Sequence, residues 1–198
     1  WPAAVAASRT GARVLLVEAY GFLGGMATNA LVHPYMKYNA GETILSRGLF
    51  EEFVDMLREE GAILDDRKHF DAEPMKRLLD RFVLDSGADI LLHARAVGVL
   101  KKGGGIEAVR VFHKGGIEDI AADIVIDATG DGDISEWGGA EIEVGRHGDH
   151  ACQTMTTSFR MAGVETSRMP SREEINRLYD EAKARGEVTN PRENVLFF

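Results

Sequence analysis

The segment PAAVAASRTGARVLLVE, residues 2–18, constrains the fold more than any other part of the sequence. Pro2 suits the first turn of a helix, where its missing N–H costs nothing, and the alanine-rich run to Thr10 continues that helix. Gly11 stands where a helix commonly stops. RVLLVE, residues 13–18, then reads as a buried strand ending in an acid. Helix, glycine and an apolar strand closing on Glu18 form the second half of a βαβ dinucleotide-binding unit. In such a unit the acid accepts hydrogen bonds from a ribose, about 20 residues after a glycine-rich turn. Counting back about that far reaches a position before Trp1. The pattern therefore predicts an upstream strand and a G-x-G-x-x-G turn.

The bulk properties narrow the partners. A net charge of -9 and a pI near 5.2 argue against a nucleic-acid surface or an anionic membrane surface. No apolar run approaches the roughly 18–20 residues of a membrane span, and the N-terminus shows no basic and apolar secretory leader. The single cysteine, Cys152, excludes an intrachain disulfide and a cysteine-built zinc site. A reducing cytoplasm is the expected compartment.

After the first strand, AYGFLGGMAT (residues 19–28) is too glycine-rich for a regular element. Pro34 argues against a central strand in residues 31–38. Two amphipathic helices follow. In residues 48–60, Leu49, Phe50, Phe53, Val54 and Leu57 keep a one-sided spacing, and Gly61 ends the run. In the second, Met75, Leu78, Leu79, Phe82 and Val83 form the stripe, with Asp71 as N-cap, Pro74 in the first turn and Gly87 after the last. From residue 88 the period turns to strands: ADILLHA (88–94) continued by AVGVL (96–100), then 106–113 and 117–121, with glycine-rich turns between them. DIVIDA (123–128) reads as a buried strand running into TGDGD, and residues 154–161 as another. A last helix spans 171–185, opened by the capping box of Ser171 and Glu174. The order is that of a parallel α/β fold with a small antiparallel insertion. The tail NPRENVLFF ends on apolar residues, and more chain is expected beyond it.

Three stretches could carry chemistry. Gly24-Gly25 directly follows the Glu18 strand, and paired glycines let a backbone approach a flat ring or a pyrophosphate. IVIDATGDGDIS (124–135) places small residues and backbone N–H groups at the carboxyl edge of a sheet, where open α/β folds bind ligands. Its acids do not fit a calcium loop: a template starting at Asp127 puts Thr129 where an Asp or Asn is usual and Gly138 where the bidentate Glu must be. His147, Asp149, His150 and Cys152 have spacing that could serve a metal, but a solvated polar loop is the expected reading. No Ser/His/Asp or Cys/His nucleophile arrangement is present, and no acid, base or nucleophile can be assigned.

VLLVEAYGFLGGMAT, FDAEPMKRLLDRFV, LLHARAVGVL and ADIVIDATGDGDIS, in this order, resemble the FAD-dependent oxidoreductase family of the glutathione-reductase-like flavoprotein superfamily. The nearest pattern is that of proteins related to the flavin subunit of heterodisulfide reductase. The resemblance runs from about Pro2 to about Gly163. It implies a Rossmann-like FAD/NAD(P)-binding domain with a parallel central sheet, over residues 1–140, with the antiparallel insertion at 96–121. Residues 141–198 would begin a substrate or cap region. It further implies that Glu18 binds the adenosine ribose of FAD. Gly24, Gly25, Met26, Ala27 and Thr28 would line the path from pyrophosphate to isoalloxazine. Val97 would contact adenine through its backbone, and Ala128, Thr129 and Gly130, with Asp131 and Asp133 beside them, would meet the cofactor at the sheet edge.

The expected function is flavin-mediated hydride or electron transfer on a small-molecule substrate. A homo-oligomer or an electron-transfer partner is left open. The alternatives are an NAD-binding enzyme of the same fold without flavin, similar to thiazole synthase, or a non-catalytic fragment unable to bind cofactor.

Overall fold

The computed structural model describes residues 1–32, 34–36, 38–153 and 155–190. They fall into two compact units, Trp1–Ser158 and Phe159–Phe198.

In the first unit, helix α1 (Pro2–Arg9) carries proline at its start, and Gly11 follows it at φ +91°. Strand β1 (Leu15–Val17) comes next. A two-residue hairpin, β2 (Asn39–Ala40) and β3 (Thr43–Ile44), leads to α2 (Leu49–Glu59) and α3 (Ala72–Asp85). The Asp71 carboxylate accepts the Glu73 N–H at 2.9 Å, so α3 begins at the cap that its sequence predicts. Strand β4 (Asp89–Leu91) then lies parallel to β1, with Leu15, Leu16 and Val17 opposite Asp89, Ile90 and Leu91.

One hydrophobic core serves this part of the unit. The apolar stripes of α2 and α3 bury Phe53, Val54, Leu57, Met75, Leu78, Leu79, Phe82 and Val83 against Val5 of α1 and Leu23. Trp1 closes one side, its ring 5.1 Å from Phe53 and 5.7 Å from Phe82, and Leu16 and Ile90 of the parallel pair pack onto the cluster. Arg9 of α1 pairs with Glu52 of α2 through two hydrogen bonds, at 3.1 and 2.7 Å. That pair is solvent-exposed, so it aligns the helices more than it stabilises them.

The antiparallel insertion is a three-stranded meander of β5 (Arg95–Lys102), β6 (Gly105–His113) and β7 (Gly116–Ala121). A short helix, α4 (Asp133–Gly138), rests on it: Ile134 is buried, and Gly138 lies so close to Ile106 that an added Cβ would stand 3.0 Å from that side chain.

Four expectations are corrected. Residues 96–100 do not continue the strand at 88–94; they belong to β5, because the chain breaks direction at His93, a left-handed residue at φ +53°. β1 is shorter than residues 13–18 and Leu15 is 43% exposed, since among the described residues the sheet has two strands and the core covers one of its faces. Residues 123–128 form no strand: the segment is unpaired, with Ile124 81% and Ile126 58% exposed. An apolar run becomes a buried strand only where a neighbour accepts its ladder, and the described residues offer none there. Residues 155–161 likewise hold no regular structure, Thr154 being outside the described residues.

The second unit contains a 3-10 turn (Thr166–Arg168) and α5 (Arg172–Ala184). The Ser171 hydroxyl accepts the Glu174 N–H at 3.2 Å, the N-cap half of the capping box, while the Glu174 carboxylate bonds Arg177. Of the tail at 190–198, residues 191–198 lie outside the described residues. Among the described residues no helix is long and apolar enough to cross a membrane.

Leu57 is fully buried in this core, whereas Leu84, on the outer side of α3, is 54% exposed. Leu57→Ala is expected to cost about 2–5 kcal/mol in urea unfolding, and Leu84→Ala to stay within about 0.5 kcal/mol. Equal costs would contradict the assignment of the core.

Candidate functional site

The carboxyl end of the parallel pair gathers the first group of candidate residues. Glu18 extends β1: its N–H donates to the Leu91 carbonyl at 2.9 Å, and its carbonyl accepts the Ala94 N–H at 3.0 Å. Its side chain turns back on the chain, where one carboxylate oxygen accepts the Tyr20 N–H at 2.9 Å. The other oxygen has no hydrogen-bond partner among the described residues. The start of α1 lies near this same edge, the Trp1 nitrogen being close enough to Glu18 to feel its charge.

The glycine turn follows. Gly24 has φ +112°, and a Cβ on it would stand 2.5 Å from Thr28 Cγ2 and 2.9 Å from Leu79 Cδ1. Only glycine fits both the backbone and the space. Gly25, at φ +50°, has nothing within 4 Å of where a Cβ would be. The Gly25 carbonyl accepts the Asn29 N–H at 2.8 Å, so the turn winds back on itself. Met26 is exposed, while Thr28 is buried and its hydroxyl donates to the Leu23 carbonyl at 2.6 Å. Thr28 holds this turn from beneath.

Val97 sits in a β-bulge. The ladder steps from Ala96 opposite Val111 to Gly98 opposite Arg110, which leaves Val97 as the extra residue, half-exposed. Its position three residues beyond Ala94 keeps it close in sequence to the Glu18 junction. The bulge was invisible in the sequence, where Val97 stood out by resemblance alone.

The third group centres on Asp127, which the sequence marked only as the start of an ill-fitting calcium template and gave no part in cofactor binding. One of its oxygens accepts the Thr129 N–H at 3.0 Å and the Thr129 hydroxyl at 2.8 Å. The other accepts the Ser135 N–H and hydroxyl, both at 2.8 Å. Thr129 Oγ1 in turn accepts the N–H groups of Gly132 and Asp133 at 3.0 and 3.1 Å, capping α4. Partial burial disfavours the Asp127 charge, but these donors outweigh it and hold the carboxyl at about 2. Asp-x-Thr ahead of a glycine turn was the available signal, since Asp and Thr side chains commonly bond backbone N–H groups just ahead of them. Ala128, Gly130 and Asp131 are exposed along this loop, with Gly130 at φ +92°.

Glu18 and Gly24–Thr28 thus share one framework, and Ala128–Asp131 another, built on α4 and the meander. Among the described residues no hydrogen bond joins the two. Nor does any group of three or more His, Cys, Asp or Glu side chains gather to hold a metal. His147, His150 and Cys152 are exposed on a loop where Arg146 pairs with Asp149 at 2.6 Å.

Asp127→Asn keeps the size of the side chain but removes the charge and turns an N–H₂ toward a donor. It is expected to destabilise α4 and its loop by about 1–3 kcal/mol. The folded pKa of Asp127 lies below the roughly 3.9 of an unfolded aspartate. Its contribution is therefore present above about pH 4 and is lost as pH falls toward about 2. Amide exchange at Ser135 measured across that window should show the loss in the wild type and not in Asp127→Asn.

Among solved structures the chain is similar to a geranylgeranyl bacteriochlorophyll reductase-like protein from Thermoplasma acidophilum, with 17% identity, TM-score 0.47, and coverage of 70% of this chain and 38% of that one. It is also similar to THI4 from Thermovibrio ammonificans, with 18% identity, TM-score 0.44, and coverage of 68% and 55%. A third is the myxobacterial chondrochloren halogenase CndH, an FAD-dependent halogenase, with 17% identity, TM-score 0.47, and coverage of 63% and 33%. The chain thus spans from a third to just over half of those proteins. Among curated proteins none matches it. The sequence model of the FAD dependent oxidoreductases matches residues 1–195. With nearly its whole length matched, this chain belongs to the FAD-dependent oxidoreductase family, whose cofactor is FAD.

Proposed function

We propose that the chain carries the adenosine-binding side of an FAD site in an oxidoreductase acting on a small molecule, and that the flavoprotein is of the glutathione-reductase-like superfamily, akin to the flavin subunit of heterodisulfide reductase. The observation that carries the proposal is Glu18: an acid at the carboxyl end of a parallel strand, beside the start of a helix, with one oxygen fixed by backbone and the other open.

The residues present fit the cofactor. The open oxygen of Glu18 would accept a hydrogen bond from a ribose hydroxyl, and the Tyr20 N–H holds the carboxylate in place for it. The start of α1 offers backbone N–H groups and the positive end of a helix dipole to a pyrophosphate. Gly25 leaves room for close approach to the backbone, and Gly24, Met26, Ala27 and Thr28 shape the turn around it. Bulging leaves Val97 out of the regular β5–β6 pairing, so its backbone can serve an adenine edge. Ala128, Thr129, Gly130 and Asp131 would meet the cofactor from the α4 side, with Thr129 already fixed by Asp127. When bound, FAD supplies the hydride or electron transfer, and the protein supplies position and electrostatics. The single exposed thiol, Cys152, fits a reducing cytoplasm.

FAD titration of the protein from its complete reading frame, followed by flavin fluorescence and visible absorbance, tests the proposal. Glu18→Ala should weaken FAD binding by roughly 10- to 100-fold, the loss of one or more hydrogen bonds to a charged group. Unchanged affinity would remove Glu18 from the site, and absence of any flavin binding by the wild type would overturn the whole proposal.

A further inference from the structure

The turn that carries Glu18 is held by a side chain with no assigned role. Residues 19–23 form a string of bends without a ladder of their own. His93, just past the end of β4, meets that turn twice. Its N–H donates to the Tyr20 carbonyl at 3.0 Å. Its imidazole lies on Gly21, so close that a Cβ there would stand 2.7 Å from both Cε1 and Nε2. The backbone of His93 takes the left-handed conformation at φ +53° to make this possible. Such a conformation is disfavoured for a side-chain-bearing residue and persists where surrounding contacts over-determine it. On the other flank, Phe22 is tied to α3 by Lys76, whose Nζ lies 4.2 Å from the ring centroid. The turn is therefore clamped from two sides, with Glu18 at its root.

We propose that His93 is a positioning residue for the ribose-binding carboxylate. Its ring, seated on Gly21, fixes the Glu18–Tyr20 hydrogen bond and so presets the open oxygen of Glu18. This rests on the reading of Glu18 given above. Gly21 then contributes something other than backbone freedom: its φ is not left-handed, and what it supplies is the space for the exposed His93 imidazole, which an added methyl would displace.

The test is a double-mutant cycle on FAD affinity in the protein from its complete reading frame, with melting temperatures measured alongside. Gly21→Ala and His93→Gly should each weaken FAD binding by about tenfold, a side-chain ordering cost of the usual size. The double variant should bind no more weakly than His93→Gly, because the added methyl then meets open space. His93→Asn, which tolerates the left-handed backbone but lacks the ring, should match His93→Gly while melting near the wild type. Full affinity in Gly21→Ala or His93→Asn, or losses that multiply in the double variant, would overturn the role of His93. If Glu18→Ala weakens binding while this cycle is flat, the inference fails alone. If the wild type binds no FAD, the reading of Glu18 fails and takes this inference with it.

Discussion

The parallel pairing of β1 with β4 is the constraint on which the rest of the N-terminal framework depends. Parallel neighbours cannot be joined by a tight turn, so the chain must leave one end of the pair and return to the other. Here it does so through the glycine turn, the small hairpin and both long helices. That excursion supplies the apolar stripes that cover one face of the pair, and α1 contributes Val5 to the same core. The carboxyl ends of both strands are left at one edge, with Glu18 after β1 and His93 after β4. Three hydrogen bonds, from the Glu18 N–H to the Leu91 carbonyl, the Ala94 N–H to the Glu18 carbonyl and the His93 N–H to the Tyr20 carbonyl, carry the pairing beyond the strands and set the backbone of that edge.

The second framework is organised by a charge rather than by apolar packing. Asp127 collects four hydrogen bonds, and Thr129 passes the order on to the first N–H groups of α4. Ile134 then anchors α4 on the meander. Exposed glycines could not hold the Ala128–Asp131 loop by packing, so a carboxylate with a depressed pKa does it instead. The acids at 127, 131 and 133 therefore differ in kind. Asp127 is structural and inward, while Asp131 is left exposed to solvent.

The helices were legible because an amphipathic stripe reports its own burial: Phe53, Val54 and Leu57, then Met75, Leu78, Leu79, Phe82 and Val83, are buried as their spacing requires. The caps at Asp71 and Ser171 were legible for the same local reason. The run IVI at 124–126 was misread because periodicity cannot report whether a neighbouring strand exists. Helix α4 was hidden by the glycines before it and by its own brevity. The bulge at Val97 and the left-handed turn at His93 depend on long-range register, and neither residue type announces them. Glu18 and the Gly24–Gly25 turn were singled out by their order after a helix and strand, and the structure gathers them on one framework.

FAD is proposed to bind at the edge formed by Glu18, the glycine turn and His93. Hydrogen exchange with and without saturating FAD tests it most directly. Slowed exchange is expected at the amides of residues 18–28 and 93–97, with no change on the outer face of α2. Slowing confined to other segments, or none at all under conditions where flavin is bound, would contradict it.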